Sequence, residues 1–313
     1  MLPPTLGRVP DALPDDLPDD LTVDLAVDLP HGQHLAALTW GPADGPLAVL
    51  LHGFPDTAHT WRHLGPALAE DGWRVVAPFL RGYAPSGLAV DGSYHVPALA
   101  RDVIALHAAL GGDDRAVLVG HDWGAVIAHG VGAVEDNPFA ALITISVPPV
   151  PALVPRVRDV PLAARQLLLS WYTIFHQLPL LPEAVFTRHV ARLWERWSPG
   201  YDAATDLAHL AESLPDRAHR AASIDFYRAA PRRGSLPDTY ADLADCWLGS
   251  PRVPTLYLHG ARDGCLDARF GARAGRHLPE GSRVEVVPGA GHFVQLEQPG
   301  RVATLVRSFL TSR

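Results

Sequence analysis

The stretch Gly120-His121-Asp122-Trp123-Gly124 follows directly on the apolar run Ala116-Val117-Leu118-Val119. A buried strand, a nucleophile between two glycines and then a helix form the pattern of a nucleophile elbow, a tight and strained turn. The glycines matter because such a turn leaves no room for side chains beside the nucleophile. The stretch therefore predicts a strand, a sharp turn and a helix, with Asp122 at the turn.

A carboxylate at this position changes the chemistry that the turn can support, because the pattern usually carries serine there. A serine hydroxyl needs a base to become nucleophilic, whereas aspartate is already ionised at neutral pH. Asp122 is thus suited to attack a carbon atom that bears a leaving group and to form an ester with it. The alternative is an ordinary strand-to-helix turn in which Asp122 is the helix N-cap.

Outward from this turn, strand and helix patterns alternate along the chain. Short apolar or alternating runs predict strands at Leu21–Leu29, Gln33–Trp40, Leu47–Leu51, Trp73–Pro78, Ala116–Val119, Ala141–Val147, Pro254–His259 and Arg283–Val287. Apolar residues at helical spacing predict helices at Thr60–Glu70, Val96–Leu110, Gly124–Val134 and Gly300–Leu310. The first two strands suit a hairpin, and the rest predict an α/β fold with a mostly parallel, doubly wound sheet.

The alternation breaks at Pro148-Pro149-Val150-Pro151. From there to about residue 235 the pattern is helical and no strand is evident. The sequence therefore predicts one α/β core domain, residues 1–147 and 236–313, with an inserted helical cap over residues 148–235. Residues 1–20 are rich in Pro, Asp and Leu and are predicted to be an extended lead-in.

The composition is that of a globular enzyme with a large buried core: 313 residues, 48% hydrophobic and 19% charged. A formal net charge of −8 argues against nucleic acid as a partner. The two cysteines, Cys246 and Cys265, do not suit a disulfide framework, and no metal-ligand spacing is present. No signal peptide or transmembrane stretch is evident, so we expect a cytoplasmic protein without a membrane span. Whether it forms a homodimer is left open.

Polar residues follow four of the predicted strands directly. They lie in His52-Gly53-Phe54-Pro55, in the Asp122 turn, in His259-Gly260-Ala261-Arg262-Asp263-Gly264 and in Gly289-Ala290-Gly291-His292-Phe293. Sites in open α/β sheets lie beyond the carboxyl ends of the strands, so we expect the four segments to converge. The sequence therefore predicts a single site at this edge of the sheet.

The chain order of nucleophile, acid and histidine is the order found in α/β-hydrolases. Asp263 would orient the His292 ring and stabilise its positive charge, and His292 would act as the base. Asp267 is a rival for the acid. We favour Asp263 because it follows its strand more closely.

Together these stretches, with Arg81-Gly82-Tyr83, resemble the α/β-hydrolases of the epoxide hydrolase and haloalkane dehalogenase branch. The resemblance covers nearly all of the sheet domain, and the aspartate elbow is its most specific part. There are two departures. Phe54 stands where relatives often have Trp, and Pro78-Phe79-Leu80-Arg81 replaces a common Asp-Leu-Arg.

The predicted cap extends the resemblance. Trp171-Tyr172-Thr173-Ile174-Phe175-His176-Gln177 resembles the first cap-tyrosine motif of epoxide hydrolases, and Phe226-Tyr227-Arg228-Ala229 resembles the second. In that family the two tyrosines lie over the nucleophile and hydrogen-bond the epoxide oxygen. The resemblance thus implies that Tyr172 and Tyr227 are proton donors, a task that suits a neutral hydroxyl. The alternative is that both are packing residues.

The resemblance and the elbow also place the backbone N–H groups of Phe54 and Trp123 as an oxyanion hole. Phe54, Trp123 and Phe293 are predicted to line an apolar substrate pocket. The implied activity is hydrolysis of a small apolar epoxide by water to a vicinal diol, through a covalent ester on Asp122 that His292-activated water cleaves. No organic cofactor and no metal are required.

Two other functions are compatible with parts of this pattern. A haloalkane dehalogenase would share Asp122, Asp263 and His292, but it needs no paired tyrosines and typically has a halide-binding side chain at the position of Phe54. A catalytically silent ligand-binding homologue would keep the pocket without needing every chemical group. An intact triad argues against this second alternative.

The remaining candidates near the site have structural interpretations. His52 and His121 are predicted to shape their loops. Cys265 is predicted to be a small packing residue, because nothing nearby in the sequence suggests an activated thiolate. Glu297 is predicted to be a helix-start residue.

Overall fold

The computed structural model describes residues 23–154 and 159–313. The strands in the described residues are β1 (Leu25–Asp28), β2 (His34–Trp40), β3 (Leu47–Leu51), β4 (Arg74–Pro78), β5 (Val117–His121), β6 (Ala141–Ile145), β7 (Thr255–Gly260) and β8 (Arg283–Val287). They form one sheet in the order β1-β2-β4-β3-β5-β6-β7-β8. The predicted lead-in, residues 1–20, lies outside the described residues.

The sheet is mostly parallel. β1 and β2 form the predicted antiparallel hairpin, β2 pairs with β4 antiparallel, and every other pair is parallel. The α/β class is therefore confirmed. The central strands β3, β5, β6 and β7 are buried along their whole length, which explains their continuous apolar runs.

Helices connect and cover the strands. In the described residues they are α1 (Leu64–Glu70), α2 (Val96–Ala109), α3 (Trp123–Ala133), α4 (Val150–Leu153), α5 (Val160–Leu169), α6 (Trp171–Phe175), α7 (Leu181–Ala184), α8 (Phe186–Trp197), α9 (Ala204–Ser213), α10 (Arg217–Ala229), α11 (Ala268–Ala274), α12 (Val294–Glu297) and α13 (Pro299–Thr311). None of these helices is both long and apolar enough to span a bilayer.

The predicted helix over Thr60–Glu70 is wrong in one respect, because the structure divides it. A short 3₁₀ helix over Ala58–Trp61 precedes α1. The hydroxyl of Thr57 accepts a hydrogen bond from the N–H of His59 and caps the start of this first segment. The other predicted helices and strands agree with the structure to within a few residues at their ends.

Helices α4–α10, here called the helical insertion, lie between β6 and β7, and their described residues contain no strand. The chain then returns to β7 through short 3₁₀ helices, of which Asp238–Leu243 packs on α2 and Cys246–Leu248 on α3. The boundaries drawn at residues 148 and 235 remain a prediction.

The insertion meets the sheet through the end of α8. The indole N–H of Trp194 donates to the carbonyl of Pro55 at 2.8 Å. A Cβ atom added to Gly264 would lie only 1.9 Å from the carbonyl oxygen of Arg196, so only glycine permits this approach. The N–H of His292 donates to the carbonyl of Trp197 at 2.9 Å. The loops after β3, β7 and β8 thus all contact α8.

Candidate active site

Asp122 occupies a strained turn between β5 and α3. Its backbone has φ 51° and ψ −116°, a region that non-glycine residues rarely adopt. A Cβ atom on Gly120 would lie 2.2 Å from the carbonyl oxygen of Gly124, and one on Gly124 would lie 2.2 Å from that of Leu51. The Asp122 side chain makes no helix-capping hydrogen bond. The turn therefore has the geometry of an elbow and differs from an ordinary N-cap.

The two carboxylate oxygens of Asp122 have different surroundings. Oδ1 accepts a hydrogen bond from the backbone N–H of Phe54 at 2.8 Å. Oδ2 lies 3.5 Å from Nε2 of His292. Trp123 is the first residue of α3, where backbone N–H groups have no acceptor within the helix. The structure thus brings the N–H of Phe54 and the ring of His292 to the carboxylate of Asp122, and Trp123 directly follows Asp122 in the chain.

Asp263 holds the other side of the His292 ring. Nδ1 of His292 and Oδ2 of Asp263 are hydrogen-bonded at 2.9 Å. Oδ1 of Asp263 accepts the N–H groups of Cys265 and Leu266 at 2.7 and 3.0 Å, which turns Oδ2 toward the ring. The rival Asp267 instead caps α11 and pairs with arginine side chains.

The electrostatics of the pair follow from this geometry. Burial acts to lower the pKa of His292, but the negative charges of Asp263 and Asp122 outweigh it and raise that pKa to about 10. Burial acts to raise the pKa of Asp263, but the charge and hydrogen bond of His292 hold it below its usual value. His292 is therefore an imidazolium at neutral pH while the Asp263 carboxylate is charged.

The loop that carries His292 is held by residues that the sequence patterns did not indicate. Glu297 is the last residue of α12, so its prediction as a helix-start residue is wrong, and its Oε2 accepts the N–H of Gly291 at 2.7 Å. Its Oε1 accepts the hydroxyl of Ser198, whose oxygen accepts the N–H of His292 at 3.0 Å. Ser198 lies 99 residues from Glu297, and no sequence signal links the two.

His121 and His52 have the loop-shaping contacts predicted for them. His121 Nε2 donates to the carbonyl of His292 at 3.0 Å, and burial lowers the pKa of His121 to about 3. His52 donates from Nδ1 to the carbonyl of Gly53 and accepts the N–H of Leu80 at 3.0 Å. Both rings are therefore neutral supports for the backbone of the site.

Tyr172 on α6 and Tyr227 on α10 lie together above this arrangement, with ring centroids 5.6 Å apart. The Tyr227 ring contacts those of Trp123 and Phe54 edge-to-face, at centroid distances of 5.0 and 5.2 Å. Its buried hydroxyl has no partner of hydrogen-bonding geometry among the described residues. Burial, and next the charges near the site, raise the pKa of both hydroxyls well above the usual value, so both stay protonated at neutral pH.

Hydrogen bonds from α10 set the spacing of the two tyrosines. The guanidinium of Arg228 donates to the carbonyls of His176 and Leu178 at 2.9 and 2.7 Å and to the buried Glu183 carboxylate at 2.7 Å. Gln177 Nε2 donates to the carbonyl of Tyr227 at 2.9 Å. These bonds tie α10 to the segment that carries α6 and α7.

The structure adds Cys265 to the site, so the prediction of a packing residue is incomplete. Its buried Sγ lies 3.3 Å from the hydroxyl of Tyr172. Ligand atoms of Cys265, Asp122 and His292 all lie within 4.8 Å of one another, which is a donor set able to hold a metal ion. The signal that could have found Cys265 is its position two residues after Asp263.

Phe293 is fully buried beside the site. Its ring stacks on Trp194 at a centroid distance of 3.4 Å and lies 5.1 Å from the ring of His121. Phe54 contacts His176 as well as Tyr227, so its ring belongs to an apolar cluster. Pocket lining by Phe54, Trp123 and Phe293 stays a prediction.

Comparison with known proteins shows the family of the chain. Residues 46–299 match the family model described as the alpha/beta hydrolase fold. The chain is 30% identical to epoxide hydrolase A of Mycobacterium tuberculosis, over 90% of this chain and 95% of that protein. It is 31% identical to the AB hydrolase superfamily protein YfhM of Bacillus subtilis, over 90% and 94%.

Solved structures give the same result. The crystal structure of epoxide hydrolase A from Mycobacterium thermoresistibile is 26% identical, with a TM-score of 0.71 over 93% of this chain and 98% of that one. The chain therefore belongs to the α/β-hydrolase family and, within it, to the group of the epoxide hydrolases.

Proposed function

We propose that this enzyme hydrolyses an apolar epoxide to a vicinal diol through a covalent ester on Asp122. One observation carries the proposal. The carboxylate of Asp122 lies between a histidine–aspartate pair and two buried, protonated tyrosines, with one oxygen held by the N–H of Phe54. A nucleophile, a base and two acids thus surround one small space.

In the first step, Oδ2 of Asp122 attacks an epoxide carbon and the C–O bond of the ring breaks. Tyr172 and Tyr227 hydrogen-bond the ring oxygen, and one of them gives its proton to the developing alkoxide. Ester formation removes the negative charge of Asp122, which had helped to raise the pKa of His292. The imidazolium of His292 then releases its proton, which restores the tyrosine.

In the second step, neutral His292 takes a proton from water, and the hydroxide attacks the carbonyl carbon of the Asp122 ester. Asp263 stabilises the imidazolium that forms again. The negative charge develops on Oδ1, which already accepts the N–H of Phe54, and the N–H of Trp123 is the second donor. Loss of one such donor costs on the order of 10²–10³ in rate. The tetrahedral intermediate then breaks its bond to the substrate oxygen, which takes the proton of the hydroxyl added from water, so the Asp122 carboxylate is restored and the diol leaves.

We also propose which part of the chain supplies each group of the site. Residues 1–147 and 236–313 form the core that supplies Asp122, Asp263 and His292. Residues 148–235 form the cap that supplies Tyr172 and Tyr227. The apolar rings around Tyr227 favour an apolar epoxide, which is the chemistry that we propose for the substrate.

The dehalogenase alternative has less support. A halide leaves without a proton, so it has no need of two buried hydroxyls. The Phe54 side chain packs against the Tyr227 and His176 rings and carries no N–H donor for a halide. Diol formation without halide release from a haloalkane would exclude this alternative.

A trapped intermediate tests the mechanism directly. In His292→Gln the ring should open but the ester should persist, so intact-mass analysis after addition of an epoxide should show protein plus substrate. Asp122→Asn is the matched control and should show no adduct. An unmodified mass for His292→Gln that still binds the epoxide would reject the covalent step.

Labelled water separates the covalent route from direct hydration. In a single turnover in heavy-oxygen water, the covalent route transfers the label to the Asp122 carboxylate, because water attacks the ester carbonyl carbon. Direct attack of water on the epoxide would instead put the label in the first diol released.

A further inference from the structure

Three ligand atoms of different chemistry converge in the site: a carboxylate oxygen of Asp122, Nε2 of His292 and Sγ of Cys265. All three residues are buried, and the atoms lie within 4.8 Å of one another. The proposed hydrolysis uses the first two and gives the thiol no chemical task. The presence of this sulfur beside a nitrogen and an oxygen ligand therefore calls for a separate explanation.

The histidine is oriented as it is in many metal sites. Its Nδ1 is bonded to the Asp263 carboxylate, so Nε2 is the nitrogen that faces Asp122 and that can bind a cation once it has released its proton. Nε2 is fully buried and has no partner of hydrogen-bonding geometry among the described residues. A buried nitrogen directed in this way is ready to coordinate a cation.

The distances suit a small tetrahedral cation. Zinc bonds to nitrogen, oxygen and sulfur are about 2.0–2.3 Å long, so tetrahedral ligand atoms lie about 3.3–3.6 Å apart. Nε2 of His292 and Oδ2 of Asp122 are already 3.5 Å apart. Only the thiol of Cys265 has to approach, by about 1 Å, and its side chain is short and turns about a single bond.

We propose that Asp122, Cys265 and His292 form a binding site for a thiophilic divalent cation, Zn²⁺ or Cd²⁺. On binding, the thiol of Cys265 and the imidazolium of His292 release their protons to solvent, and the metal–sulfur and metal–nitrogen bonds form. The donor set of sulfur, nitrogen and oxygen is the one these ions prefer. The bound cation covers the carboxylate of Asp122, so it is an inhibitor of the proposed hydrolysis, and this consequence alone rests on the proposed function.

The chain offers its own control, because it has only two cysteines. Cys246 is half-buried and lies beside Gly130 of α3, away from the three ligands. Titration of the full chain with Cd²⁺ should produce the ultraviolet charge-transfer absorption of a cadmium–thiolate bond at one equivalent. Cys265→Ala should lose this absorption, whereas Cys246→Ala should keep it with the same affinity.

A second variant separates coordination by three residues from binding to a lone thiol. His292→Gln retains the sulfur but removes the nitrogen ligand, so its affinity for Cd²⁺ should fall at least tenfold. The thermal unfolding of each variant shows whether it is folded. Absorption that survives in Cys265→Ala, or that disappears in Cys246→Ala, would overturn the proposal. So would an unchanged affinity in His292→Gln.

The cadmium–thiolate absorption does not depend on turnover, so it tests the metal site separately from the proposed hydrolysis. If the Asp122 ester is never trapped, the cadmium–thiolate absorption should still appear. If the ester is trapped in His292→Gln but the wild-type chain shows no such absorption, the metal site alone is rejected. With both present, Cd²⁺ should inhibit the wild-type chain at concentrations at least tenfold lower than those that inhibit Cys265→Ala.

Discussion

The sheet side and the insertion side of the site are held together by different forces. On the sheet side, the carboxyl groups of Asp122 and Asp263 are buried, and backbone N–H groups donate hydrogen bonds to one oxygen of each. On the insertion side, the rings of Tyr172 and Tyr227 contact other aromatic rings, and hydrogen bonds of Arg228 hold the helices that carry them. The Tyr227 hydroxyl has no hydrogen-bond partner within the described part of the chain.

The difference reflects the cost of burying each kind of group. A buried carboxylate without partners is very unfavourable, so its donors must be built into the backbone. Burial of a phenol removes a large apolar area from water, and one hydroxyl without a hydrogen-bond partner costs far less free energy than a carboxylate without one. We therefore expect small backbone changes on the sheet side to lower stability strongly. On the insertion side, removal of a tyrosine hydroxyl should change stability little, whereas loss of the hydrogen bonds that hold the helices at their spacing should lower it.

The largest effect should come from Gly124→Ala, which tests the rigidity of the sheet side. The added Cβ atom would lie 2.2 Å from the carbonyl oxygen of Leu51, so β3 and α3 cannot both keep their positions. We expect a loss of about 4 kcal/mol or more in the free energy of unfolding, measured by denaturant titration. Gly234→Ala, where no atom lies within 4 Å of the added Cβ, is the control. Equal stabilities would contradict the comparison.

The two tyrosine hydroxyls should show a large effect on rate and little on stability. Tyr172→Phe and Tyr227→Phe should each slow ring opening on the order of 10²-fold, because the remaining tyrosine still supplies a proton. The double variant should be slower still. Single-turnover kinetics measures ring opening, and thermal unfolding should change little, since the Tyr227 hydroxyl has no bond to lose. Unfolding of Tyr227→Phe at a much lower temperature would assign the hydroxyl a structural role instead.

Arg228→Met tests whether the hydrogen bonds of Arg228 hold the helices of the insertion at their spacing. Arg228 is the hydrogen-bonding partner of Glu183, whose side chain is only 5% exposed, and its loss leaves that carboxylate buried without its cation. We expect the free energy of unfolding to fall by about 3 kcal/mol. Adding Glu183→Gln should restore part of it. A double variant no more stable than Arg228→Met would show that the bonds to the carbonyls of His176 and Leu178 dominate.

An effect that depends on pH should come from Asp56, a buried carboxyl on the sheet side whose Oδ2 has no hydrogen-bond partner among the described residues. Burial, and next the charge of Asp206, raise its pKa from 3.8 to about 8. Between pH 3.8 and about 8, Asp56 is protonated in the folded state and ionised in the unfolded state. The contribution of Asp56 to the free energy of unfolding is therefore highest below pH 3.8 and falls as the pH rises to about 8, by up to about 1.4 kcal/mol per pH unit.

Asp56→Asn cannot ionise, so its stability should fall less with pH across the same window. Denaturant titrations of wild type and variant at several pH values measure the difference. Parallel curves would mean that Asp56 is charged in the folded state.

Much of the fold could be predicted because its signals are local. β3, β5 and β6 are continuous apolar runs because each is buried on both faces. Asp122, Asp263 and His292 could be predicted because each follows a strand whose carboxyl end meets the same edge of the sheet. The helix over Thr60–Glu70 was divided by a local cap at Thr57, a signal weaker than the apolar periodicity.

The other parts of the site depend on residues far apart in the chain. Ser198 supports His292 through Glu297, 99 residues away, and Arg228 bonds a carbonyl 52 residues away. Cys265 follows Asp263 closely, yet its sequence neighbours do not show that its thiol turns toward Asp122. These contacts exist only once α8 and α10 have packed on the loops of the sheet.

By itself, then, the sequence determined the sheet, the elbow and the order of the charged residues. The burial of a strand and the shape of a tight turn depend on residues that are neighbours in the chain. Only the tertiary structure decided how the two tyrosines, the thiol and the supports of His292 are placed. Their positions follow from the packing of helices against distant loops, and side-chain directions there depend on contacts that no local pattern encodes.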